Sequence, residues 1–184
     1  YTVTLLRNLS YFSEYAVDHS SEHNTVNYKT TVIPQVIIEA AQFFQERGNN
    51  LGIKIELHNK RVQNAVKGDP AFLKQVFMNL FDNAIKYGEP HSTVDISNWI
   101  QKKSGDLIVT VQGKSIPFDN PDKIFDVGIR AQQAEEKTSS GSGLGLHICK
   151  LIVEKIFHGT IKAEYTKAGK AIFTIRLPNG FLKG

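Results

Sequence analysis

Hydrophobic positions along this chain fall into alternating helix-like and strand-like patterns. Leu5, Leu9, Phe12 and Ala16 recur at spacings of four, three and four, which predicts one apolar stripe on a helix. Ser20 to Asn27 is polar and reads as a connector, so the stripe packs either on a partner helix or on its own domain. From Tyr28 onward the element types alternate. Thr30 to Ile33 is β-branched, and Pro34 to Arg47 carries a helical pattern through Val36, Ile37, Ala40, Ala41 and Phe44. Ile53 to Asn59 alternates strictly, as a strand with one buried face does. Asp69-Pro70 opens a second helix, because Asp caps well and Pro is tolerated in the first turn. Thr93 to Ile100 and Asp106 to Val111 flank Lys102 to Gly105 as a hairpin. Leu144 to Phe157 is helical, and Gly159 to Tyr165 with Ala171 to Leu177 gives a second hairpin around Ala168-Gly169. Mixed order with hairpins predicts an α+β layer, not a doubly wound parallel sheet. Gly113 to Gly141 has little periodicity and is longer than an ordinary connection, which leaves a lid over a site or a decorated surface loop.

Composition narrows the class. With 184 residues, 41% hydrophobic and 22% charged, the chain can bury a core of its own. The single cysteine, Cys149, excludes an internal disulfide framework and a multi-cysteine zinc site, and suits a reducing compartment. A net charge of +4 is mild and scattered, without the aromatic-basic interleaving of a nucleic-acid binder. No apolar run reaches the roughly 18 residues of a membrane span, and the first residues lack a signal peptide's regions. With no initiator Met, the expectation is a soluble cytoplasmic domain cut from a longer protein, itself cytoplasmic or membrane-anchored.

Two segments carry candidate chemistry. On the helix from Asp69 to Tyr87, Leu73, Phe77, Leu80, Phe81 and Ala84 share one face at about 100° per residue. Asn79, Asn83 and Lys86 line up on another, with Tyr87 at its edge. An amide oxygen is a reasonable Mg²⁺ ligand when phosphates and waters complete the octahedron, and an ammonium can neutralise phosphate. The alternative is a solvated helix face. The second segment, Gly141-Ser-Gly143-Leu144-Gly145-Leu146, runs straight into a helix. Glycines there let backbone approach a ligand, and amides at a helix start favour phosphate; a hinge is the alternative. It is not a dinucleotide fingerprint, since Leu146 stands at the third glycine position. Gly113-Lys114-Ser115 is not a P-loop either, since Ile108 stands where the earlier glycine belongs.

Taken together, these residues resemble the catalytic, ATP-binding domain of sensor histidine kinases, within the wider family shared with gyrase and the Hsp90 chaperones. Asn79 to Tyr87 is similar to that family's asparagine box, and Gly141 to Leu146 to its second glycine box. Ile124-Phe125 through Arg130 resembles the phenylalanine box, and Gly169 to Pro178 fits the closing hairpin. The resemblance implies a two-layer α/β sandwich over residues 28–184, with a mixed sheet covered by helices and a lid. Residues 1–27 would be the end of a dimerisation helix and a linker. It also implies Mg²⁺ and ATP as cofactors. Asn83 would ligate the metal, supported by Asn79. Lys86 and Tyr87 would line the phosphate and adenine sides, Arg130 would approach the γ-phosphate, and Gly141, Gly143, Leu144, Gly145 and Leu146 would hold phosphate oxygens.

The first glycine box departs from the family's pattern. Val111 stands where the family has an adenine-reading Asp, ahead of Gly113, and Ser115 replaces the second glycine. Valine cannot accept a hydrogen bond, so a buried adenine amino group there would cost about 1–3 kcal/mol. Asn79 also holds the position at which the ATP-hydrolysing relatives carry a Glu, which favours a protein acceptor over water. None of the six histidines is followed by Asp or Glu, so the family's acceptor histidine is expected outside this chain. The expected function is Mg-ATP binding and γ-phosphoryl transfer to that histidine. The expected partners are the dimerisation and phosphotransfer domain of the same or a sister chain in a homodimer, and a response regulator. The alternative is a degenerate member acting as a regulatory interaction module.

Overall fold

The computed structural model describes residues 29–118, 120–128 and 143–183. Strand β1 (Thr30–Val32) leads directly into α1 (Ile33–Gln42), whose Pro34 sits in the first turn, where no intrahelical N–H is needed. After α2 (Gln45–Leu51) come β2 (Lys54–Leu57), β3 (Asn64–Lys67) and the long α3 (Pro70–Tyr87). A hairpin follows, β4 (Thr93–Ile100) and β5 (Leu107–Lys114), and then a single 3₁₀ turn at Lys123–Phe125. Helix α4 (Gly145–Leu151) continues into a wider π turn, Ile152–Ile156. The chain ends in β6 (Thr160–Tyr165), β7 (Lys170–Leu177) and the short β8 (Phe181–Leu182).

Five strands form a mixed sheet in the order β2-β4-β5-β7-β6, and β1-β3-β8 form a small second sheet. Only β2 and β4 run parallel; every other pair in the large sheet is antiparallel. Alternation sends Val94, Ile96, Val109, Val111 and Ile175 to one face. There they meet the apolar faces of α1, α3, α4 and the π turn through Ile37, Phe77, Phe81, Ile148 and Ile152, all in one continuous core. The result is the expected two-layer α+β sandwich. No helix among the described residues is long and apolar enough to cross a membrane.

Three boundaries differ from the pattern-based expectation. The helix expected over Pro34 to Arg47 breaks after Gln42, where the Phe43 and Phe44 amides bond to the carbonyls of Ala40 and Ala41, three residues back. The break drops Phe44 into the core edge-on to Phe81 (centroids 6.4 Å apart), while Phe43 stays exposed. Strands β3 and β8 carry no readable period because they are short and paired only with each other and β1. Strand β5 runs on to Lys114, so Gly113 is part of the ladder, opposite Ala171. Residues 1–27, the expected dimerisation helix and linker, lie outside the described residues.

Candidate functional site

Helix α3 is set first. Asp69 accepts the Ala71 amide at 2.9 Å, capping the helix, and its carboxylate pairs with Lys29 at 2.7 Å. Burial pushes the Asp69 pKa up, but the Lys29 ammonium and the Ala71 amide outweigh it and hold it below its usual value. One face of the helix enters the core; the next lines a cleft of about 130 Å³ between α3, the end of β5 and the start of α4.

Contacts along α3 fix the two ends of this cleft. At Asn79, the side-chain amide donates to the Gly145 carbonyl at 3.0 Å, and its oxygen accepts from Gln75 at 2.9 Å. Asn79 is therefore only 5% exposed and works as a clasp on the glycine segment, not as part of a solvated stripe. At the other end, the Tyr87 carbonyl accepts the Ile116 amide at 3.1 Å, and Gly88 bridges to Ser115. Eight residues separate Asn79 from Tyr87, so these anchors stand about 12 Å apart at 1.5 Å per residue.

Between them, Asn83 and Lys86 line the cleft. Asn83 makes no side-chain hydrogen bond to a described residue, which leaves its amide oxygen available to a cation. Lys86 is paired with Asp82 one turn back, and the other oxygen of Asp82 takes Arg47 of α2 at 3.0 Å. Asp82, 3% exposed, is the residue that pattern reading missed; its spacing of four from Lys86 was the available signal. No group of three or more His, Cys, Asp or Glu among the described residues could hold a metal alone. The amide oxygen of Asn83 is of a type that could serve a Mg²⁺ ion whose other ligands are phosphates and water.

Gly143, Gly145 and Leu146 all line the cleft; Leu144 does not, and packs against the core instead. Gly143 has a left-handed backbone (φ 67°), and a Cβ there would sit 2.9 Å from the Gly128 backbone, so only glycine fits. His147 ties the same helix to the 3₁₀ turn through Nδ1 and the Phe125 carbonyl, 3.0 Å apart. On the sheet side, Val111 (3% exposed) and Gly113 line the cleft, together with Val94 and Phe173, and Leu80 of α3 lines it from the helix side. Gln112, Lys114, Ser115 and Ile116 are at its edge in sequence and also line it. Arg130 and Gly141 lie outside the described residues.

Sheet, helix layer and interposed cleft define the catalytic-domain fold of histidine-kinase-like ATPases. The chain belongs to that family: residues 68–180 match the family described as histidine kinase-, DNA gyrase B-, and HSP90-like ATPase. Among its relatives is the sensor protein KdpD of Clostridium acetobutylicum, 30% identical over 177 residues. That match covers 96% of this chain but 19% of KdpD. The solved catalytic domain of histidine kinase ThkA is similar in fold, with a TM-score of 0.68, 24% identity, and 84% of this chain and 99% of that one covered. ThkA solved in complex with the response regulator protein TrrA gives a TM-score of 0.64 at 22% identity, covering 96% of this chain and 49% of that one.

Proposed function

We propose that this domain binds Mg-ATP in the α3 cleft and transfers the γ-phosphoryl group to a histidine outside the chain, as the catalytic part of a two-component sensor kinase. The observation that carries this reading is the Asn79–Gly145 clasp, which brings the asparagine face of α3 and the glycine segment to one cleft. Phosphate oxygens would lie against the backbone from Gly143 to Leu146. Asn83 would hold the magnesium ion, which spreads the charge developing on the transferred group. Lys86, its ammonium already balanced by Asp82, would meet phosphate without adding a naked charge to the apo cleft. Arg130 would come to the γ-phosphate from the segment before Gly143.

In the transfer itself, the bond from the γ-phosphorus to the ADP oxygen breaks and one to an imidazole nitrogen forms, leaving ADP and phosphohistidine. Water is a poor competitor, since Asn79 is engaged at both ends of its amide and is no base, and Asp82 is held by Lys86 and Arg47. Downstream, the phosphoryl group would pass to a response regulator, the type of partner with which ThkA is solved. A homodimer formed through a preceding helical domain would present the histidine.

The test uses the full-length protein containing this chain, incubated with Mg-ATP labelled at the γ-phosphate. Acid-labile, alkali-stable label should appear and should vanish in Asn83→Ala. Val111 favours one other reading, a regulatory module, because its own side chain offers the cleft no hydrogen-bond acceptor. Absence of both label and nucleotide binding would select that module.

A further inference from the structure

The two ends of the cleft differ in chemistry. Phosphates belong at the end with Gly143, Gly145, Asn83 and Lys86. The flat, apolar-faced base then belongs on the floor made by Val94, Val111, Ile116 and Phe173. Val111 lies on β5, paired in register with Ile96 and Phe173. A site tells an amino group from a carbonyl on a purine by presenting a group that only accepts or only donates. Among the described residues, no acceptor-only side chain lies on this floor. Asp82, the one carboxylate among the described residues that line the cleft, is held by Lys86 and Arg47 on the helix side. The polar groups at the β5 end are Gln112 and Ser115, which can each donate or accept, and Lys114, whose ammonium is engaged by Glu89 at 3.3 Å.

We propose that the cleft binds purine nucleoside triphosphates without selecting adenine, because the Val111 floor neither attracts a 6-amino group nor repels a 6-carbonyl. The inference rests on the reading of the cleft as a nucleotide site. Affinity then comes from stacking of the base on the apolar floor and from the phosphate end, both shared by all purine triphosphates. A carboxylate in place of Val111 would restore the discrimination, by accepting from an amino group and opposing a carbonyl.

Isothermal titration with Mg-ATP, Mg-ITP and Mg-GTP tests this. ATP and ITP carry an amino group and a carbonyl respectively at the same ring position. The three dissociation constants should agree within about threefold, and Val111→Asp should raise the ATP-to-ITP preference by about tenfold or more. An ATP preference of tenfold or more in the unmodified protein overturns the proposal, whether or not the variant folds. A folded Val111→Asp protein with an unchanged ratio overturns it too. If none of the three nucleotides binds, this inference and the nucleotide-site reading fall together; selective ATP binding removes this inference alone.

Discussion

Asn79 and Asn83 show how far two identical side chains on one helix can diverge. Both were legible as a polar stripe at a spacing of four, but the stripe does not say which residue stays available. Asn79 is spent on Gly145, 66 residues away in sequence, a contact no local pattern encodes. Asn79→Ala should therefore remove the side-chain tie to Gly145 and cost about 0.5–1.5 kcal/mol of stability, seen as a lower melting temperature, alongside weaker nucleotide binding. Asn83→Ala should do the reverse: little change in melting, and loss of the Mg²⁺-dependent part of binding. A variant of Asn83 that binds Mg-ATP as tightly as the parent would remove it from the site. Cys149 gives a third residue-scale expectation. It is fully buried behind α3, with Sγ near the Val76 carbonyl, and burial pushes its thiol pKa up to about 12. Folded protein at pH 8 should resist iodoacetamide, with alkylation appearing only on unfolding.

At the scale of elements, α3 and the β4–β5 and β6–β7 hairpins were readable because each has a full period and its own start or turn signal. Asp69-Pro70 opens α3, and Gly105 and Gly169 turn the hairpins with left-handed backbones. What was not readable depends on packing across the molecule: the break at Phe43, which aims Phe44 at Phe81, and strands β3 and β8, which exist because they pair. The Asp69 cap sets a pH signature for α3. Its folded pKa lies below the ordinary carboxylate value, so its contribution is fully present above that ordinary value of 3.8. It is lost as pH falls from there through the lowered folded pKa. Asp69→Ala should cost about 1 kcal/mol at neutral pH, and the difference between the two proteins should shrink on acidification over that window. A gap in stability that stays constant down to pH 2 would show that the carboxylate's charge plays no part in the cap.

Over the whole molecule, the cleft is a seam between layers: α3 forms one wall, the β5 end another, and the Gly143–Leu146 segment closes it. Each wall is anchored to the next, by Asn79 on Gly145, Ile116 on the Tyr87 carbonyl, and Arg47 of α2 on Asp82 of α3. A ligand bridging that seam must bind the folded state and not the unfolded chain, so it should stabilise the fold as a whole. At a Mg-ATP concentration 100 times its dissociation constant, linkage supplies about 2.7 kcal/mol. For a domain of this size that corresponds to a rise of about 5–10 °C in melting temperature. Chelating magnesium should remove most of the rise in the parent protein, and Asn83→Ala should show little of it even with magnesium present. Asn79→Ala should melt lower without ligand yet gain a smaller increment, because the clasp that assembles the phosphate end is already broken. If all three proteins gain the same increment with and without magnesium, nucleotide is held somewhere other than between Asn83 and the glycine segment.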